Sequence, residues 1–281
     1  QKEYEIIDLK EYLELANMSY MLETFDKNYT VSFVAVFENE DFENLRGELT
    51  KFSNDILANS IKALESRFDI VLQYIENIKK HEQIFNFKSS LDQIKDHIEN
   101  LKQISKKRDY QKLYEIVKVL NKKDYLLNAI TLLFEGVGHY CVSRVEKINS
   151  EVEAYVAGFK NSGIFDSYDL TNQSRNLVKS GRGMTSHYLF SAKRARAHFG
   201  FSEKKAKEYL GDIKNSICNK LERIPNIEEF KNFIIAAEKL RNNLAHGNSS
   251  DEIENTKLNF KRLLEDYKKF CIEDDILGAG E

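Results

Sequence analysis

Residues 124–140 read DYLLNAITLLFEGVGHY. Leu126, Leu127, Ile130, Leu133, Phe134, Val137 and Tyr140 recur at helical spacing but spread round the helix instead of keeping to one stripe. A helix that is apolar on nearly all sides is buried, so this run is expected to be the central helix of an all-α fold. Asp124 is expected to cap it, and the pattern continues to about Tyr155. Gly136 and Gly138 inside it imply either a close neighbour or a kink. His139 reads as a core or interface histidine, with no metal set around it.

Working outward, amphipathic patterns flank this run on both sides. On the N-terminal side, Asp8 with Glu11 reads as a helix start, with Leu9, Tyr12, Leu13, Ala16, Tyr20 and Phe25 turned towards a core. Residues 30–37, TVSFVAVF, form the one β-like segment, read as a connector that is a short strand or a helix overruled by packing. From Asp41 to Lys80, Phe42, Leu45, Leu49, Phe52 and Ile56 alternate by three and four, and Leu64, Leu72 and Ile75 continue the series. That predicts one long amphipathic helix. Helices around Leu91 to Leu101 and Leu113 to Leu120 follow, with Lys106-Lys107-Arg108 as a solvated turn between them. The expected organisation is a connector over 1–37 and a helical domain over 38–281.

Composition agrees with a helical chain. It has 281 residues with one proline, 12 glycines and 31% charged residues, which favours helices over a β-rich fold. The formal charge of −3 selects no partner class. Cys141, Cys218 and Cys271 have neither zinc spacing nor a disulfide framework, and fit small buried residues in a reducing compartment. No metal or cofactor is expected. No signal peptide or membrane-spanning run is visible, so the expected location is cytoplasmic with no membrane partner.

Charge is not evenly spread. Residues 160–183 are rich in Gly, Ser, Asn and Asp and read as a loop region. Across 174–207 there are nine Lys or Arg (Arg175, Lys179, Arg182, Lys193, Arg194, Arg196, Lys204, Lys205, Lys207) against one acid, Glu203. A local +8 in a chain of net −3 is the polarisation a phosphate-binding surface needs. Tyr188, Phe190, His198 and Phe199 are interleaved and suited to stacking on bases. The alternative is a solvated face with the aromatics turned inward.

The chemistry-bearing stretch is residues 238–247, EKLRNNLAHG. Asn226 and Glu229 read as a capping box just after Pro225, and Ile227, Phe230, Ile234, Ala237 and Leu244 form the apolar stripe of the helix they start. Five residues turn a continuous helix by about 140° from its start, too far for Arg241 and His246 to share a substrate. Gly247 suits the left-handed conformation that stops a helix, which lets the His246 ring turn back. A guanidinium can hold a phosphate, and an imidazole can move a proton to or from a ribose hydroxyl. The blander alternative is a polar helix end with His246 set against the helix dipole. A second Arg/His spacing, Arg182 to His187, lacks this helix-end setting.

Arg241-Asn242-Asn243-Leu244-Ala245-His246-Gly247 resembles the signature of HEPN ribonucleases. The helical run before it is similar to the effector half of CRISPR-associated CARF–HEPN proteins, the ancillary ribonucleases of type III systems. Residues 8–15 and 20–25 resemble the segment that leaves the sensor domain in that group. The resemblance implies an all-α HEPN-type bundle, a homodimer with two motifs meeting across its interface, and metal-independent cleavage of single-stranded RNA. Arg241 would contact the scissile phosphate, His246 would transfer protons, and Asn242 would hold the motif in shape. Relatives also carry an N-terminal CARF domain that binds cyclic oligoadenylate. None is expected within this chain, which begins at Gln1 and reads as part of something longer. A non-catalytic helical RNA- or protein-binding module, and a HEPN toxin held by an antitoxin, are the alternative readings.

Overall fold

The structure is a computed structural model that describes residues 9–31, 37–81, 87–147, 167–180, 199–247 and 252–278, with isolated positions at 150, 153, 154, 157 and 196. Among the described residues it is helical, with no strand. The β-like segment of 30–37 falls largely outside them, as residues 32–36 are not described. The chain divides into two compact units, Gln1–Lys107 and Arg108–Glu281. This division falls near 107, and the expected connector over 1–37 belongs to the first unit.

The first unit holds α1 (Lys10–Asn28), α2 (Glu40–Leu57), α3 (Ile61–Glu65), α4 (Phe68–Ile78) and α5 (Lys88–Ser105). The long helix expected over 41–80 is thus three helices. It is interrupted at Asn59, whose φ of 57° no continuing α-helix accommodates, and again at Ser66 and Arg67 between α3 and α4. The apolar seam survives the break, because Phe42, Leu45, Leu49, Phe52, Ile56, Leu64 and Ile75 are all buried. Asn39 caps α2 by accepting from the amides of Asp41 and Phe42 at 3.0 and 3.2 Å.

Helix α1 starts at Lys10, with Leu9 at its N-cap and no side-chain cap bond. Its core side is the expected one at Phe25 but not along the rest of the helix. Met18, Met21, Leu22, Phe25 and Tyr29 are buried, whereas Leu9, Tyr12, Leu13 and Tyr20 are 56–65% exposed. Met18 and Tyr20 lie two residues, about 200°, apart round the helix, so only one of the two apolar stripes can face α2 and α5. The buried stripe ends in an aromatic cluster, with Phe25 edge-on to Phe52 at 5.4 Å and the Tyr29 hydroxyl 2.5 Å from His97 Nε2.

The second unit is built round α7 (Leu126–Val145). Packed on it are α6 (Asp109–Lys122), α8 (Ser167–Ser180), α10 (Ile227–Ala245) and α11 (Ile253–Tyr267), while α9 (Glu203–Leu221) lies between α8 and α10 in sequence. The expectation of a buried central helix is met, although Leu127 is exposed. The described helix ends at Val145, short of Tyr155. Asp124 does not cap it: its φ is 62°, Tyr125 holds the N-cap, and the Asp124 carboxylate pairs with Lys257 at 2.8 Å. All three cysteines are free and buried, and burial pushes the Cys141 thiol up to about 12.

Helix α8 corrects the expected loop of 160–183 over residues 167–180, the rest of it lying outside the described residues. Leu170, Thr171, Ser174, Leu177 and Val178 are buried at i, i+1, i+4, i+7 and i+8, a helical stripe in which two members are small and polar. Their polarity disguised the period. Those residues are small because α8 runs close to α7: a Cβ on Gly138 would lie 2.7 Å from Thr171 Cβ and 3.2 Å from the Thr171 carbonyl oxygen. Gly136 likewise receives the Tyr267 ring, whose hydroxyl donates to the Tyr110 carbonyl at 2.8 Å. Close packing explains both glycines.

At the end of α11 the helix widens to π geometry over Lys268–Glu273, which buries both Phe270 and Cys271. Beyond it the chain is tied to α7. Tyr140 donates to Asp275 at 2.9 Å and accepts from the Leu277 amide at 2.9 Å, while Arg144 Nε donates to Asp275 at 2.7 Å.

Two alanine substitutions should move stability in opposite directions. Gly138→Ala is expected to destabilise by about 1–3 kcal/mol through overpacking. Gly47→Ala in α2, where an added Cβ meets nothing within 4 Å, should stabilise by about 0.5–1 kcal/mol. Urea melts followed by circular dichroism measure both, and equal signs would contradict the packing described for Gly138.

Candidate functional site

Helix α10 carries the motif and is anchored by Ile227, Phe230, Phe233, Ile234 and Ala237. Phe230 meets Tyr140 of α7 edge-on at 5.9 Å, and Phe233 meets Phe270 at 5.9 Å. The expected capping box is absent. Asn226 has φ 61° and makes no side-chain cap bond, because a left-handed N-cap turns its side chain away from the first-turn amides. Its carbonyl accepts from the Glu229 amide at 3.1 Å instead, and the Glu229 carboxylate pairs with Lys269 at 3.4 Å.

After Ala237 the helix leaves the core. Leu240, Arg241, Asn242, Asn243 and Leu244 are all half-buried, so Leu244 does not complete the buried stripe as expected. The helix stops where the sequence places its end. His246 is the C-cap, its amide donating to the Asn242 carbonyl at 3.0 Å, and Gly247 takes φ 65°. The His246 side chain is exposed. Arg241 Nη1 donates to Asn242 Oδ1 at 2.8 Å. The guanidinium carbon also lies 5.6 Å from the centre of the Phe134 ring on α7. One helix end therefore presents a partly shielded cation and an exposed imidazole.

Helix α8 brings two of the expected RNA-contacting residues to this end. Lys179 pairs with Glu238, one turn before Arg241, at 2.7 Å. Arg175 is 1% exposed. Its guanidinium lies 3.5 Å from the Phe134 ring centre and donates to the Phe134 carbonyl at 2.8 Å and to Asn172 Oδ1 at 3.1 Å. So deeply buried a side chain is an internal group, not a surface contact for a polyanion. Arg196 is exposed and faces Glu203 at 3.6 Å. Arg182, Lys193 and Arg194 lie outside the described residues, as do His187, Tyr188, Phe190 and His198. Phe199 stacks on Phe201 at 5.4 Å, and Lys205 lies 4.7 Å from the Phe201 ring centre.

Sequence reasoning gives Phe134 only a core role and Asn172 and Glu238 none, since nothing in an apolar run marks the residue that will meet a cation. His139 on α7 is half-buried, with Nδ1 3.7 Å from Asp109 Oδ2. Desolvation holds its pKa below the ordinary value, aided by Lys112 and Arg175 and opposed by Asp109 and Glu135. Among the described residues no three of His, Cys, Asp and Glu converge as a metal set. Comparisons with protein-family models, with curated proteins and with solved structures returned no match.

The His139 environment has a measurable consequence. Folding favours its neutral form, so the stability it contributes is present above the ordinary value of 6.5 and is lost as pH falls through the depressed folded value. Urea midpoints from pH 8 to pH 5 should fall more steeply for the native protein than for His139→Gln. Parallel curves would show that this ring is not desolvated.

Proposed function

We propose that this protein is a metal-independent endoribonuclease of HEPN type, cleaving single-stranded RNA at Arg241 and His246. The observation that carries the reading is the helix end itself. A positive-φ Gly247 stops α10 directly after His246, and Asn242 holds the Arg241 guanidinium at 2.8 Å. The motif residues thus have distinct settings: a cation restrained by a neighbour, and an imidazole open to solvent.

The chemistry follows from those settings. Arg241 binds a non-bridging phosphate oxygen and stabilises the charge that accumulates on it. His246 takes the proton from the ribose 2′-hydroxyl, acting as the general base. The 2′-oxygen attacks phosphorus, the bond to the 5′-oxygen breaks, and that oxygen leaves with a proton supplied by an acid. The products are a 2′,3′-cyclic phosphate and a 5′-hydroxyl. Base and acid are both needed, and a two-fold axis supplies a second motif from the same sequence, which favours a homodimer as the active form. The same reading assigns the protein to type III CRISPR antiviral defence in the cytoplasm.

The deciding experiment follows a labelled single-stranded RNA in EDTA with the native protein, Arg241→Ala and His246→Ala. The native protein should leave cyclic-phosphate ends, and each variant should lose at least about 100-fold in rate with its circular dichroism unchanged. Undiminished cleavage by His246→Ala, or loss of helicity in either variant, overturns the assignment. RNA binding without cleavage by the native protein would favour a binding module.

A further inference from the structure

Arg241 does not rest on solvent. Its guanidinium carbon is 5.6 Å from the Phe134 ring centre, and the same ring has the Arg175 guanidinium carbon 3.5 Å from its centre. Phe134 is 5% exposed and Arg175 is 1% exposed, so both lie beneath a half-buried Arg241. The ring's π-electrons attract a cation that lies near them. Arg175 is fixed in turn from two sides, by the Phe134 carbonyl at 2.8 Å and Asn172 Oδ1 at 3.1 Å. A Cβ on Gly138 would come within 3.0 Å of Arg175 Nη1, so the side chain passes through space that a glycine leaves open. The Lys179–Glu238 pair holds α8 against α10 one turn before Arg241.

We infer that Phe134 and Arg175 are positioning residues for Arg241: a buried guanidinium and an aromatic ring form the seat that sets the direction in which the half-buried guanidinium points. What that direction serves rests on the ribonuclease reading, in which Arg241 meets the scissile phosphate. The seat itself is independent of that reading. A side chain such as arginine has many rotamers, and holding one of them in advance removes an ordering cost from the reactive encounter. The buried Arg175 charge also adds to the positive field at this helix end, where a phosphate would sit.

The test uses two variants and two readouts. Phe134→Leu keeps an apolar group but removes the ring, and Arg175→Lys keeps the charge but removes the planar contact. Thermal melts identify whether each is folded at the assay temperature. In nitrogen-edited proton spectra the Arg241 Nε–Hε signal, assigned by its loss in Arg241→Lys, should be shifted by the ring current. It should return towards the free-arginine position in Phe134→Leu and move by a smaller amount in Arg175→Lys. In RNA cleavage, kcat should fall roughly 3- to 30-fold in Phe134→Leu, with KM nearly unchanged. An Arg241 signal that stays in place in folded Phe134→Leu overturns the inference, as does an unchanged kcat. If the native protein cleaves no RNA, the ribonuclease reading fails, and the spectra alone decide the seat.

Discussion

The second unit depends on hiding α7. A helix that is apolar nearly all round removes most of its side-chain area from water only if helices reach it on every side. α6, α8, α10 and α11 do so, and each approach has a local device. Gly136 admits the Tyr267 ring, and Gly138 admits Thr171 and Arg175. Two of the polar groups carried inward meet backbone carbonyls: the Tyr267 hydroxyl donates to one, and Arg175 Nη1 to another. The motif helix is one of these covering helices, so its position is a by-product of burying α7.

Periodicity made the helices legible because burial follows it. Residues 126–145 and the seam from Phe42 to Ile56 behave as their spacing demands. Three features escaped for separate physical reasons. The break at Asn59 depends on one backbone angle that an otherwise unbroken apolar pattern hides. On α1 two stripes competed, and the choice between them was made by neighbours from elsewhere in the chain. For α8 the period was written in Thr171 and Ser174, small residues selected for helix contact and easily taken for loop composition.

The candidate site was legible in outline. Gly247 marked the helix end, a local effect, whereas the bond from Arg241 to Asn242 came to notice through the resemblance alone. The surroundings were not. Arg175 counted as part of a basic surface from charge alone, and only its packing against Phe134, 41 residues away, turns it into an internal group. Caps were the least legible class: Asn226 and Asp124 both adopt left-handed backbones in place of capping geometry.

The tie between Tyr140, Arg144 and the segment at 275–277 spans 131 to 137 residues of sequence. Loop closure over such a distance is entropically unfavourable until most of the intervening chain is ordered. During synthesis, the middle of α7 therefore emerges long before its last polar partners exist. Its Tyr140 hydroxyl and Arg144 guanidinium must stay hydrated, and with them that side of the helix, until residue 277 leaves the ribosome. The unit that bears the motif therefore completes its central helix only when the segment at 275–277 is in place.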